Sequence, residues 1–324
     1  MEGEAVSSCA ARPFFIVNPR SANGTTRARF ESLLPRLRGM LPDLVYAYTS
    51  APMHAAELAQ EAVGWGATMV VSCGGDGTLN EVVCGLVASG KPALPVLALM
   101  PSGTGGDFRK VLNLGSGPRD ALNCLLAGVV RAVDFGVLQF LDHDGKEATR
   151  AFINIASAGI SGLVDHYVNH TTKAFGGRIS FLLGTVRGTF AYRNAPVRVV
   201  VDGQVFYEGR VRLVAVANGR FFGGGMMITP NAMLNDGLLD VTVLGDMNQL
   251  EFLSLARHIY SGTHLAVPKV LSTRGRAVMV EPLTDSPVLI DLDGEQPGRI
   301  FMGAEVVPKG LRVLVPRGSL RTFL

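Results

Sequence analysis

Cysteine is scarce in this 324-residue chain: Cys9, Cys73, Cys84 and Cys124 all lie in the first half, without the paired spacing of a zinc site or a disulfide framework. Buried free thiols are expected. Net charge is nearly absent, +3 with 18% charged residues, which leaves no electrostatic footprint for nucleic acid. Long apolar runs are missing too. Uncharged stretches such as Pro92–Gly106 and Ala151–Val164 fall short of the roughly 20 residues of a membrane span and are broken by Gly, Pro or polar residues, so no crossing segment is expected. The opening Met-Glu-Gly-Glu has no basic region followed by an apolar run, so it does not read as a secretory signal and the cytoplasm is the expected compartment. No repeat or low-complexity tract appears. What remains is 48% hydrophobic with 39 glycines, a composition that excludes a disordered or collagen-like chain and, at this length, suggests two packed domains.

The first 135 residues alternate β-type runs with helical patterns: Phe14–Val17 then Arg27–Met40, Leu44–Tyr48 then Met53–Val63, Thr68–Ser72 then Thr78–Ala88, Leu94–Leu99 then a helical segment before Arg131. That order predicts a parallel sheet with helices on its faces. From about Val133 the strands pair through Asp-Gly turns, as in Val197–Val201, Asp202-Gly203, Val205–Tyr207, so a β-rich second domain is expected. The expected division is residues 1–134 and 135–308, with 309–324 returning to the first domain through the run Leu311–Val315. Helical stretches interrupt the β domain at Val164–Tyr192 and Asn248–Ser261. Basic residues concentrate in two places: Lys173, Arg178, Arg187 and Arg193 against one acid, and Lys309, Arg312, Arg317 and Arg321 against none. Reversible contact with an anionic membrane is expected at the first.

The strongest local signal is Ser72-Cys73-Gly74-Gly75-Asp76-Gly77-Thr78-Leu79-Asn80-Glu81, placed where a strand hands over to a helix. Glycines there let backbone approach a phosphate, and the helix start offers free N–H groups. The plain alternative is a turn with Asp76 or Thr78 as a cap. A second such loop, Pro101-Ser102-Gly103-Thr104-Gly105-Gly106-Asp107-Phe108, follows the next strand, and a third, Asn18 to Gly24, follows the first. Three strand-end loops support one another as walls of a nucleotide site. Phe221–Met227 is a weaker candidate for an acyl-chain cleft, its plain reading being core. The six histidines share no metal spacing.

With these motifs the chain resembles the diacylglycerol kinase catalytic family, which includes bacterial lipid kinases, sphingosine kinases and ceramide kinases. The matching residues are Val17-Asn18-Pro19, Thr49, Gly74–Glu81, Pro101–Phe108, Val133–Gly136, Phe152-Ile153-Asn154, Asn218-Gly219, Gly223–Gly225, Asn235–Asp240 and Asp293-Gly294-Glu295. The resemblance implies an α/β nucleotide-binding domain and a β-sandwich lipid domain, an NAD-kinase-like architecture with ATP in the cleft between. It implies ATP contacts at Asn18, Pro19, Arg20, Ser21, Ala22, Thr49, Gly75, Asp76, Gly77, Thr78, Leu79, Asn80, Glu81 and Thr104. It implies Mg²⁺ at Asp236 with the carbonyls of Met233 and Leu238, and Asp293 as proton acceptor, with Glu295 beside it and Asp76 as the competing reactive carboxylate. One departure is Gly106, where the family pattern has Asn.

Phosphoryl transfer requires such parts on chemical grounds: a phosphate cradle, Mg²⁺ and a carboxylate for the hydroxyl proton. Both Asp-Gly sites read equally as turns, and a hard cation is compatible with the Asp236 turn. The expected activity is ATP-dependent phosphorylation of a diacylglycerol-like or sphingoid lipid hydroxyl at a membrane surface. The rivals are an NAD kinase, which shares a Gly-Gly-Asp-Gly loop, and a non-catalytic lipid- or nucleotide-binding protein.

Overall fold

The apolar runs of the N-terminal part become β1 (Pro13–Val17), β2 (Val45–Tyr48), β3 (Met69–Gly74) and β4 (Val96–Pro101). They pair in parallel in the order β2-β1-β3-β4. A computed structural model of the protein describes residues 12–102, 106–163, 192–319 and 323. Every residue of β1 and β3 is buried, the pattern of central strands covered on both faces. The covering helices are α1 (Thr26–Met40), α2 (His54–Trp65), α3 (Asp76–Ala88), α4 (Asp107–Val111) and α5 (Pro118–Ala127). Gly66 and Gly128 close α2 and α5, and Pro118 opens α5, where its missing N–H costs nothing.

The chain divides into two compact units, Met1–Asp134 with Lys309–Leu324, and Phe135–Pro308. The second contains most of β5 (Val129–Asp142), then β6 (Glu147–Phe152), β7 (Ile155–Gly159), β8 (Ala195–Val201), β9 (Gln204–Val211), β10 (Leu213–Ala217), β11 (Phe221–Phe222), β12 (Met226–Met227), β13 (Leu239–Leu244), β14 (Val270–Gly275), β15 (Ala277–Pro282) and β16 (Ile290–Leu292), and the start of β17 (Gly298–Val315). One sheet runs β14-β13-β10-β7-β16, all antiparallel, and the strands β15, β8 and β9 pair antiparallel beside β17. Their inner faces meet in a core of Leu138, Val199, Val214, Val241, Val280 and Ile290, so this unit is a β-sandwich. The Asp202-Gly203 turn between β8 and β9 has φ of 48° and 79°, as a tight hairpin requires.

The outer face of the first sheet receives α6 (Gln249–Ser261), through Leu255 and Ile259 against Leu213, Ala215 and Leu244. Its start is a reciprocal cap: Asn248 Oδ1 accepts the Glu251 amide at 2.9 Å and Glu251 Oε2 accepts the Asn248 amide at 2.8 Å. Phe222 and Met226 also pack on this core, so the Phe221–Met227 segment serves the fold as a small hairpin. In the first unit the end of β17 joins β4 in parallel, Val313 opposite Leu97. The Lys309 amide donates to the buried Asp134 carboxylate at 2.6 Å. Cys73 and Cys124 are buried free thiols and Cys84 is half-buried. Among the described residues no helix is long and apolar enough to cross a membrane. The helix expected over Val164–Tyr192, apart from Tyr192 itself, and the basic cluster up to Arg187 lie outside the described residues, as does Cys9.

Two glycines test how tightly the helices pack. A Cβ on Gly85 of α3 would stand 2.1 Å from the Ala56 carbonyl oxygen of α2, whereas nothing lies within 4 Å of one on Gly64. Gly64→Ala is therefore expected to stabilise by about 0.5–1 kcal/mol. Gly85→Ala is expected to destabilise by about 1–3 kcal/mol through forced separation of the two helices. Denaturant midpoints of the two variants should move in opposite directions.

Candidate functional site

In the first unit the strand-end loops are bound to one another. Gly74 ends β3 with so little room that a Cβ would lie 2.5 Å from Thr78 Oγ1. That hydroxyl accepts the Asn18 side-chain amide at 2.9 Å, and the Asn18 backbone N–H donates to the Cys73 carbonyl at 3.0 Å. Ser21 pairs with Thr26 Oγ1 at 2.6 Å, Thr26 pairs in turn with Ser102, and the Ser102 amide donates to the Gly74 carbonyl at 2.9 Å. Asn18, Ser21, Gly74, Thr78 and Ser102 thus converge, while Gly75, Gly77, Pro19 and Ala22 stay partly exposed and Arg20 exposed. Thr49 contributes its backbone, donating to the Val17 carbonyl at 2.9 Å to extend the β1–β2 ladder. Thr104 lies outside the described residues.

Asp76, expected as a reactive carboxylate, is turned onto the start of α4. Its oxygens accept the Asp107 amide at 2.9 Å and the Phe108 amide at 3.2 Å. Burial raises its pKa, and the neighbouring Asp107 carboxylate adds to the rise while the two amides oppose it. Glu81 does a similar task for α2, accepting the Ala55 amide at 3.1 Å, and Asn80 is fully buried and accepts from Cys84 at 3.6 Å. These side chains, expected to contact nucleotide, also make hydrogen bonds within the scaffold that shapes the loop.

In the second unit, Asp293 follows β16 with φ of 50° and is buried. Its carboxylate accepts three consecutive amides: Ile153 at 3.0 Å, Asn154 at 3.2 Å and Ile155 at 2.8 Å. The segment it grips is itself a hub, since the Asn154 carbonyl accepts the amides of Asn218 and Gly219 at 2.8 and 3.0 Å, and Asn218 donates to the Ile153 carbonyl at 2.8 Å. Asp291 completes the turn by accepting the Gly294 amide at 2.8 Å. Three of the roughly four acceptor sites of the Asp293 carboxylate are thus taken by backbone. Glu295, in the same turn, has a side chain 36% exposed, with Arg150 Nη1 at 3.3 Å from its carboxylate. The Asp293 carboxylate shapes the turn that presents it.

Around the expected metal residues, Asp236 Oδ1 accepts the Leu238 amide at 3.1 Å, and Oδ2 lies 3.1 Å from the half-exposed Arg274 guanidinium. Asp240, opposite Arg274 on the neighbouring strand, is buried, and its Oδ2 has no hydrogen-bond partner among the described residues. Burial pushes its carboxyl up to about 7, with Asp236 adding to the rise and Arg274 and Arg220 opposing it. An orphaned carboxylate oxygen beside a second carboxylate, on a turn with the carbonyls of Met233 and Leu238, is a donor set suited to a hard cation. Arg220 braces this turn through the Ala232 carbonyl at 2.8 Å. Asp240 closes the Asn235–Asp240 motif of the sequence, and what the fold adds is its burial.

Comparison with known proteins matches the same two units. Residues 12–138 match the model of the diacylglycerol kinase catalytic domain, and residues 154–315 match that of the YegS C-terminal NAD kinase beta sandwich-like domain. A Xanthomonas euvesicatoria protein named "Probable lipid kinase YegS-like" is 32% identical over 79% of this chain and 81% of its own length. The chain belongs to the diacylglycerol kinase family of lipid kinases. Diacylglycerol kinase of Mycobacterium tuberculosis H37Rv is 28% identical over 93% of this chain and 94% of its own. A solved diacylglycerol kinase from Bacillus anthracis Sterne shares the fold, with a TM-score of 0.71 at 22% identity over 96% of this chain and 98% of that one.

Within this family member, the two carboxylates of the Asp-Gly-Glu turn are expected to separate by experiment. Asp293→Asn leaves three amides sharing a weaker, partly donating group, and is expected to cost about 2 kcal/mol or more of folding stability. Glu295→Gln removes a half-exposed partner of Arg150 and is expected to change stability by less than about 1 kcal/mol. Urea midpoints measure both.

Proposed function

We propose that this lipid kinase transfers the γ-phosphate of ATP to the free hydroxyl of a diacylglycerol-like lipid. The observation that carries the reading is the knot of strand-end loops in the first unit, where Asn18, Thr78, Gly74 and Ser102 hold a glycine-lined backbone at the start of α3. Such a surface offers N–H groups and a helix dipole to a phosphate chain. Kinship to enzymes named diacylglycerol kinase over nearly the full length favours diacylglycerol among lipid alcohols.

In this reading the first unit binds ATP, and Asp76 keeps the two loops in register by holding the start of α4. Glu295 takes the proton of the attacking hydroxyl, and Arg150 keeps its carboxylate oriented. Asp293 acts through Glu295 as a positioning residue. Asp236 and Asp240, with the Met233 and Leu238 carbonyls, would hold Mg²⁺, which supplies positive charge to neutralise that acidic turn. The acceptor lies in a bilayer, and the protein meets it peripherally, drawn to anionic lipid by its basic stretches.

Four measurements test these statements. Glu295→Gln is expected to lower turnover about 10²–10⁴-fold with little change in ATP affinity, the signature of a lost proton acceptor. Radiolabelled ATP offered with diacylglycerol, ceramide, sphingosine, phosphatidylglycerol or NAD should label diacylglycerol most; label in NAD alone would overturn the lipid reading. Added Mg²⁺ should raise the melting temperature of the wild type and leave that of Asp236→Ala unmoved. Cosedimentation with anionic vesicles should weaken as salt rises, and equal binding to neutral vesicles would remove the electrostatic attraction.

A further inference from the structure

The glycine-lined loop carries a cation that the motifs do not account for. Arg109 on α4 lines a small cleft together with Ser72, Gly74, Gly75, Asp76 and Gly106. Its guanidinium is anchored at one end, where Nη1 donates to the Leu114 carbonyl at 3.3 Å. Its Nε–H is buried and has no hydrogen-bond partner among the described residues. A buried N–H of a permanent cation left without an acceptor is costly unless a ligand supplies one.

Gly106 is what allows this placement. The residue has φ of +59°, and a Cβ there would stand 2.6 Å from Arg109 Nε and 2.9 Å from its Cδ. A side chain at 106 would therefore force the Arg109 side chain to shift. The absence of Asn at 106 and the presence of Arg at 109 are therefore one feature: room is given up by the first so that the second lies over the loop.

We propose that Arg109 is a nucleotide-binding residue of this chain, its buried Nε–H taking an oxygen of the phosphate chain of ATP, with Gly106 as the residue that admits it. The inference rests on the reading that ATP binds at this loop. A guanidinium suits the task because its planar fork stays charged and offers directed donors to phosphate oxygens, whereas an ammonium acts only as a point charge. The cleft holds no other cationic side chain among its lining residues, so Arg109 supplies its charge.

The test is equilibrium binding of ATP, ADP and AMP to the full chain, with melting temperatures recorded alongside. Arg109→Gln is expected to weaken ATP and ADP about ten-fold or more, as for loss of a charged hydrogen bond, and AMP less. Arg109→Lys should fall between. Gly106→Asn should reproduce the loss with Arg109 still present, because the new side chain occupies its place. The combination of Gly106→Asn with Arg109→Gln should then be no worse than either alone. Wild-type ATP affinity in Arg109→Gln would overturn the inference and leave the ATP site standing. Failure of the wild-type chain to bind ATP at all would overturn the reading beneath it. If Arg109→Gln does not fold, Arg109→Lys and Gly106→Asn decide by the same comparison.

Discussion

A carboxylate gripping three consecutive backbone amides is the constraint on which the second unit depends. The segment Ile153–Ile155 leaves β6 and enters β7 without a ladder partner for these N–H groups, and it does so in the interior, where unpaired donors are costly. Asp293 supplies the acceptors from the far end of β16. Because the Asn154 carbonyl then holds the Asn218-Gly219 turn, one side chain ties three separated segments together. The left-handed backbone at Asp293 is the local cost of aiming the carboxylate inward.

The same solution recurs wherever regular structure is interrupted. Asp76 takes two amides at the start of α4, Glu81 one at the start of α2, Asp134 that of Lys309, and Asp202 those of Arg276 and Ala277. Each satisfies donors that a helix start or a strand end leaves open. Acidic residues that look like chemistry in a one-dimensional reading thus also hold backbone together.

Much of the architecture was legible in the chain itself. Alternation of apolar runs with helical periodicity in the first unit, and Asp-Gly turns between β-type runs in the second, are local properties that follow from backbone geometry and side-chain spacing. The helical stretch from Asn248, the Asp202-Gly203 turn and the glycine-rich junction after β3 needed no knowledge of distant residues. The positions of the three loops at strand ends followed from the same local patterns.

What the sequence could not assign was which partners each carboxylate takes. Asp293 and Glu295 stand two apart in the same turn, yet one is buried against the amides of Ile153–Ile155 and the other lies half-exposed beside Arg150, because those partners lie about 140 positions earlier. Asp240 was one residue of a motif until burial left its Oδ2 without a partner among the described residues, and Arg109 was unremarkable until Gly106 gave it room. Local pattern determines elements, since it is written in adjacent residues. The state of a charged side chain is set by desolvation and by hydrogen-bond partners brought from far along the chain, and only the folded structure supplies those.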